Sequence, residues 1–308
     1  MNVLALAGGV GGAKLAAGLS QVVAQDDLTI VVNTGDDFDW MGLRICPDLD
    51  TVVYTLAGLD NPQTGWGVQN DTFHVLDSLR SMGCEAWFRV GDRDLATHLF
   101  RTRELQAGIS LSEVTRAICR KIGIGIKVLP MTDSSVPTIV DTDEGTLTFQ
   151  DYFVRRKCEP RTRGFTFRGI ENATPAPGVL SALECANAII VCPSNPFVSI
   201  GPILAVPGLK PALSASRATV VAISPIIAGR AVKGPTARML GDAGMAVSAA
   251  SVAGLYRDFV DLFVVDVADE MLRPQVESLG IGFRALPILM DTPQSRAALA
   301  RTLIDMLA

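Results

Sequence analysis

Five aspartates, Asp36, Asp37, Asp39, Asp48 and Asp50, fall within one short stretch. Carboxylates that dense repel one another unless some face solvent or a cation sits among them. Ahead of them Gly8, Gly9, Gly11 and Gly12 are followed at once by Lys14. Closely spaced glycines let bare backbone N–H groups and a helix N-terminus approach a phosphate. Phosphate-holding backbone opposite metal-capable carboxylates is equipment for phosphoryl transfer, in which the protein aligns the reactants and neutralises charge.

Both groups need a scaffold that brings them together. Residues 2–7 (NVLALA) form a short apolar run suited to a buried parallel strand, and a small-residue helical pattern extends from the glycines to Leu19. A second strand, 28–32, ends in Asn33-Thr34-Gly35-Asp36-Asp37. A third is predicted at Trp87–Val90, delivering Arg89 and the Gly91-Asp92-Arg93-Asp94 turn, followed by a helix bearing Thr97 and His98. Further buried strands at 187–192 and 218–223 end in Pro193-Ser194-Asn195-Pro196-Phe197-Val198-Ser199-Ile200 and in Ser224-Pro225-Ile226-Ile227. Strand-helix-strand-helix closes the chain between 262 and 307. In an open parallel sheet, loops at the carboxyl ends of the strands share one crevice. Ser194, Asn195 and Ser199 there offer hydrogen-bond groups to a base or phosphate. Residues 126–170 differ in texture: period-two alternation with Asp-Glu-Gly turn chemistry indicates antiparallel strands. The expected fold is α/β, a Rossmann-like parallel sheet flanked by helices, with core segments 1–125 and 185–308 and a small inserted α+β subdomain at 126–184. Asp133, in Thr132-Asp133-Ser134-Ser135, is expected to turn inward from that insert.

Composition narrows the function. With 308 residues, 48% hydrophobic and 19% charged, the chain can bury a large core, and its net charge of −5 supplies no field for nucleic acid. No apolar run reaches membrane length. Six widely spaced cysteines without a C-x-x-C pair predict reduced, buried thiols in a cytoplasmic protein. Two histidines make a zinc site improbable.

Simpler readings stand beside these. The glycines can form a tight turn without a ligand, although four of them exceed what a turn needs. They match neither standard nucleotide motif. Lys14 stands where a dinucleotide fingerprint wants its last glycine, and Asn33 rather than an acid ends the second strand. Leu15 follows Lys14 where a P-loop needs Ser or Thr. Residues 34–50 read as a long loop, and Asp50 as the N-cap of a helix over 51–57, a place from which it can also bind a metal or polarise a hydroxyl.

Taken together, GGVGGAKL (8–15), NTGDDFDWMGLRICPDLDTVVYTLAG (33–58), VGDRDLATHLFRT (90–102), LPMTDSSVPT (129–138), CPSNPFVSIGPIL (192–204) and SPIIAGRAVKGPTA (224–237) resemble the CofD family, the 2-phospho-L-lactate transferases of coenzyme F420 biosynthesis. The resemblance runs in family order over nearly the whole chain. It implies a dimeric, Mg²⁺-dependent enzyme that moves a phospho-three-carbon-acid group, 2-phospholactyl or phosphoenolpyruvyl, from a guanosine diphospho-linked donor to the ribityl hydroxyl of the deazaflavin Fo. GMP leaves, and F420-0 or its dehydro form results. By the same resemblance Asp36 and Asp50 become the magnesium carboxylates, with Asp50 also orienting the hydroxyl. Gly8, Gly9, Gly11, Gly12 and Lys14, next to Asn33 and Thr34, would hold phosphate. Arg89, with Asp92 in the turn beyond it, would lie near the deazaflavin. Ser194, Asn195 and Pro196 would shape the guanosine pocket, with Ser199 and Ile200 beside it. The alternative reading is a non-catalytic nucleotide-sugar binder resembling the gluconeogenesis factors, a branch with a glycine- and serine-rich segment where this chain carries its aspartates.

Overall fold

A computed structural model describes residues 1–307. Its centre is a seven-stranded, wholly parallel sheet in the order β14-β13-β10-β9-β1-β2-β5. The strands are β1 Val3–Ala7, β2 Leu28–Val32, β5 Lys127–Pro130, β9 Ala188–Val191, β10 Thr219–Ile223, β13 Leu262–Asp266 and β14 Gly282–Leu286. Both faces are covered, so the strands are continuous apolar runs. In β1, Val3, Ala5 and Ala7 enter one core while Leu4 and Leu6 enter the other. Helices α1 Gly9–Leu19, α2 Pro47–Leu56 and α5 Leu111–Lys121 pack on the first face with the terminal helix Pro293–Leu307. α5 starts on Ser110 with Glu113 in a reciprocal capping box.

Strand order reverses between β1 and β9, and ligand crevices form at such switch points. Ala7 pairs with Val32 and Leu6 with Val191, so three adjacent strands finish at nearly the same level. Their next residues, Gly8, Asn33 and Cys192, therefore lie side by side at the carboxyl edge of the sheet.

Three sequence expectations are corrected here. Trp87–Val90 is not a strand. It is irregular and packs its rings against a small hairpin, β3 Phe38–Trp40 with β4 Leu43–Ile45, with Phe38 and Phe88 centroids 4.9 Å apart. Lys127–Pro130, read as part of the antiparallel insert, is the parallel edge strand beside β2. The antiparallel sheet is formed by β6 Thr138–Thr142, β7 Gly145–Thr148 and β8 Thr162–Phe167. Finally, 34–50 is not a long loop, because it contains the hairpin and the start of α2. Pro47 occupies the first turn of α2, where its missing N–H costs nothing, and Asp50 therefore lies inside the helix rather than capping it. A two-stranded ribbon, β11 Ile226–Ile227 with β12 Arg230–Ala231, follows β10.

All six cysteines are free, four of them buried; Cys84 and Cys185 are exposed, against the expectation for those two. Among the described residues no helix is long and apolar enough to cross a membrane.

Candidate active site

The glycines are not a loop ahead of the helix; from Gly9 onward they are its first turn. Close approach explains them. A Cβ on Gly8 would lie 2.6 Å from Asp48 Oδ2, and one on Gly11 would lie 2.2 Å from the Pro193 carbonyl oxygen. Ser194 Oγ accepts from Gly8 N–H at 3.1 Å and donates to the Gly8 carbonyl at 2.8 Å, and Ser199 packs its Cβ toward Gly8. The loop after β9 is thereby fastened to the loop after β1. Gly9 and Gly12 share the same first turn, and the Gly9 backbone N–H favours the ionised form of Asp48.

Asn33 organises that acidic side. Its Nδ2 donates to Asp48 Oδ2 at 2.9 Å, Asp36 Oδ1 at 3.2 Å and the Val198 carbonyl at 3.1 Å. Its Oδ1 accepts from Gly35 N–H at 2.8 Å. Asp36 and Asp48 are both buried. Burial, then the charge of Asp48, pushes the Asp36 carboxyl well above its ordinary value, and the Asn33 bond only partly opposes this. Burial likewise raises Asp48 to about 6 and Asp37 to about 8. Thr34 Oγ1 and Asp37 Oδ1 are buried without a hydrogen-bond partner. Two carboxylates sharing one amide, with no basic side chain between them, make a site short of positive charge.

Asp50 has different surroundings. It faces α4, Asp92–Gln106, as does Tyr54 one turn on. Both Arg101 terminal nitrogens bond to Asp50, Nη1 to Oδ2 at 3.1 Å and Nη2 to Oδ1. His98 Nδ1 lies 3.6 Å from Asp50 Oδ2, and its Nε2 lies 3.2 Å from Asp94 Oδ1. Tyr54 Oη donates to Asp94 at 2.8 Å. Burial would raise the Asp94 carboxyl, but its bonds to His98 and Tyr54 and the Arg101 charge hold it below the ordinary value. Ligand atoms of Asp50, Asp94 and His98 lie within 4.8 Å of one another, a spacing a metal can bridge. The always-charged guanidinium already occupies both Asp50 oxygens, so a divalent ion there would have to displace it. Asp36 thus faces Asp48 across Asn33, while Asp50, the other expected metal carboxylate, is bound by Arg101. Asp39 points away, exposed on the hairpin and bound to Arg44 at 2.9 Å.

Beside Asp94 opens a cavity of about 310 Å³, lined among others by Asn61, Trp66, Gln69, Phe73 and Arg89. The Arg89 guanidinium lies 4.3 Å from the Phe73 ring centroid. The 61–73 loop was not singled out from sequence, although Trp66 and Phe73 among turn residues are its signal.

Other predicted site residues are otherwise engaged. Asp92 accepts from Thr72 Oγ1 at 2.6 Å and from the backbone of His74 and Val75 at 3.0 Å, capping α3, His74–Ser81. Asp133 accepts from Ser112 N–H at 2.7 Å and Ser112 Oγ at 2.9 Å, tying down the start of α5 rather than turning inward. Asn195 Oδ1 accepts from Phe197 and Val198 N–H, which shapes the wide helical turn Pro196–Ile200. Pro196 and Ile200 are buried in that turn, Ile200 in the second core. Lys14 stands among Arg296, Asp291 and Asp60, and burial followed by the Arg296 charge lowers its pKa. Lys233 is next to it and bonds the Thr64 carbonyl.

Comparison with known proteins matches this arrangement to a family. Residues 3–300 fit the family model described as 2-phospho-L-lactate transferase CofD. The chain is 45% identical to a phosphoenolpyruvate transferase of Kitasatospora aureofaciens, over 98% of this chain and 96% of the other. It is 37% identical to a 2-phospho-L-lactate transferase of Methanosarcina mazei, over 98% and 99%. A crystal structure of a UPF0052 family protein from Bacillus halodurans superposes with a TM-score of 0.64 at 16% identity, covering 98% of each chain, and shows the shared fold. The chain belongs to the CofD family, the transferases of coenzyme F420 biosynthesis.

Proposed function

We propose that this chain transfers a phospho-three-carbon-acid group from a guanosine diphospho-linked donor to the ribityl hydroxyl of the deazaflavin Fo, forming a phosphodiester and releasing GMP. The observation that carries the reading is the juxtaposition at the switch point: a helix N-terminus, an acidic pair short of positive charge, and an anchored third carboxylate connected through His98 to Asp94, which lines an aromatic cavity. The donor's diphosphate meets the first turn of α1, where unpaired N–H groups and the helix dipole favour anions. Asp36 and Asp48 would hold Mg²⁺, since two buried like charges sharing Asn33 fit a cation better than they fit each other. When bound there, Mg²⁺ supplies charge neutralisation for phosphate oxygens. The acceptor's ring system occupies the cavity, with Trp66 and Phe73 as aromatic walls and Arg89 at its rim. Asp50 accepts a hydrogen bond from the attacking hydroxyl and orients it toward phosphorus, and alignment supplies most of what such a reaction needs from a protein. Greater identity to phosphoenolpyruvate transferases than to the phospholactate enzyme, 45% against 37%, favours the enolpyruvyl donor.

The test is a coupled assay with purified protein, Mg²⁺, Fo and, in turn, the phosphoenolpyruvyl, phospholactyl and phosphoglyceryl guanosine diphospho-acids. GMP release with a deazaflavin product of the enolpyruvyl mass is expected. Silence with all three from folded protein would overturn the transferase reading and direct the next titration to UDP-sugars.

A further inference from the structure

On α4, Asp94, His98 and Arg101 recur at spacings of four and three residues and so share one helical face. That face is where apolar side chains would normally meet the core. Here all three polar groups are buried, with Arg101 only 2% and His98 only 1% exposed. Opposite them, α2 presents Asp50 and Tyr54, again four residues apart. The two helices are joined by a ladder from Tyr54 Oη to Asp94, His98 and Arg101, ending on Asp50.

A buried guanidinium is expensive to desolvate, and an apolar pair would hold two helices together at least as well. The fork does something an apolar contact cannot. It fixes both oxygens of one carboxylate and thereby its last torsion, with a planarity that lysine does not reproduce. His98 Nδ1 approaches Arg101 Nη1, the nitrogen that also bonds Asp50 Oδ2, to 3.2 Å, and the Arg44 carbonyl accepts from the same nitrogen at 3.4 Å. Every polar neighbour of Asp50 on α4 therefore fixes its direction.

We infer that Arg101 is the positioning residue of the acceptor hydroxyl site, acting through Asp50, with His98 holding the guanidinium in register. This rests on the reading that Asp50 receives the attacking hydroxyl. The geometry leaves Arg101 out of contact with substrate; its effect is on where the Asp50 oxygens point. Misplacement of such a group lowers the turnover step rather than binding.

The test is steady-state kinetics of Arg101→Lys, which keeps the charge and loses the fork, and of His98→Asn, which leaves the Arg101–Asp50 pair itself in place. For Arg101→Lys kcat is expected to fall about tenfold to a hundredfold with both KM values near wild type, and for His98→Asn less, about threefold to tenfold. In an Asp50→Asn background Arg101→Lys should cost nothing further, the mark of two residues acting as one unit. A merely structural ion pair would instead lower the melting temperature while leaving kcat of the folded fraction unchanged, and that result in folded protein overturns the inference. Should Arg101→Lys fail to fold, His98→Asn decides alone, because wild-type kcat in that variant is equally contrary. A wild-type enzyme silent in the assay would defeat the functional reading itself, whereas an active wild type with an unimpaired Arg101→Lys would defeat only this inference.

Discussion

Asp48 and Asp50 are two residues apart on one helix turn, yet the protein treats them oppositely. Asp48 meets Asp36 across a shared amide, with burial raising both carboxyls and like charge adding to the rise at Asp36. Asp50 meets a guanidinium fork supplied by α4. One carboxylate pair is left without a cation from the protein; the other carboxylate carries its own. The difference teaches that dense acids become candidates for a cation only where the fold withholds a counter-charge. Identical residue types in one sequence run therefore acquire different chemistry from the element that packs against them.

The largest effect that would break this comparison is expected at the proposed metal pair, Asp36 and Asp48. Asp48→Asn or Asp36→Asn should lower kcat/KM by about 10³ to 10⁴, since metal charge stabilisation amounts to several kcal/mol. Raising Mg²⁺ should recover part of that loss, and a Mg²⁺ titration of initial rates checks it. Asp50→Asn should cost about 10² to 10³, the range for a group that handles the reacting hydroxyl, with the Mg²⁺ dependence of the remaining activity unchanged. If both variants respond to Mg²⁺ alike, the two carboxylates are not distinct.

A smaller effect sharpens the same contrast through pH. Burial raises the folded-state carboxyls of Asp36, of Asp48 to about 6 and of Asp37 to about 8, against an ordinary value of 3.8. For a carboxyl raised on folding, the stabilising contribution is complete below 3.8 and is lost as pH rises through the folded value. The metal-free protein should therefore lose stability from these groups between about pH 4 and pH 8. Cation binding requires the ionised forms, so the rise in melting temperature produced by Mg²⁺ should grow over the same window. Thermal melts with and without Mg²⁺ across that range measure both slopes.

At the cavity, Trp66→Ala should raise KM for the deazaflavin about tenfold while KM for the donor stays near wild type. The smallest effect is expected at Asp133→Asn, where melting temperature should fall and kcat remain as in wild type, because that carboxylate only fastens α5. A loss of kcat there would return Asp133 to the site.

Much of this architecture is legible in the chain because apolar runs and their ends are local signals. β1, β2, β9 and β10 lie within a residue or two of where their hydrophobic runs predict them, and the crevice follows from parallel order. Trp87–Val90 misled because aromatic residues favour strands but also fill irregular packing, and nothing local distinguishes a pairing partner from a ring to stack on. Asp92 and Asp133 misled for a related reason: a carboxylate near a turn serves a cap as readily as a ligand, and only the helix that packs against it decides. The role of Arg101 was beyond sequence, since it depends on α4 crossing α2 at one register. Asp48 was visible as one acid of five; its pairing with Asp36 through Asn33 is tertiary.

The most direct test of the central claim is calorimetric titration of Mg²⁺ into wild type, Asp48→Asn and Asp50→Asn with the guanosine diphospho-linked donor present. The account predicts binding lost in Asp48→Asn and retained near wild-type affinity in Asp50→Asn. Binding retained in Asp48→Asn and lost in Asp50→Asn would place the cation at the Arg101 end and contradict it.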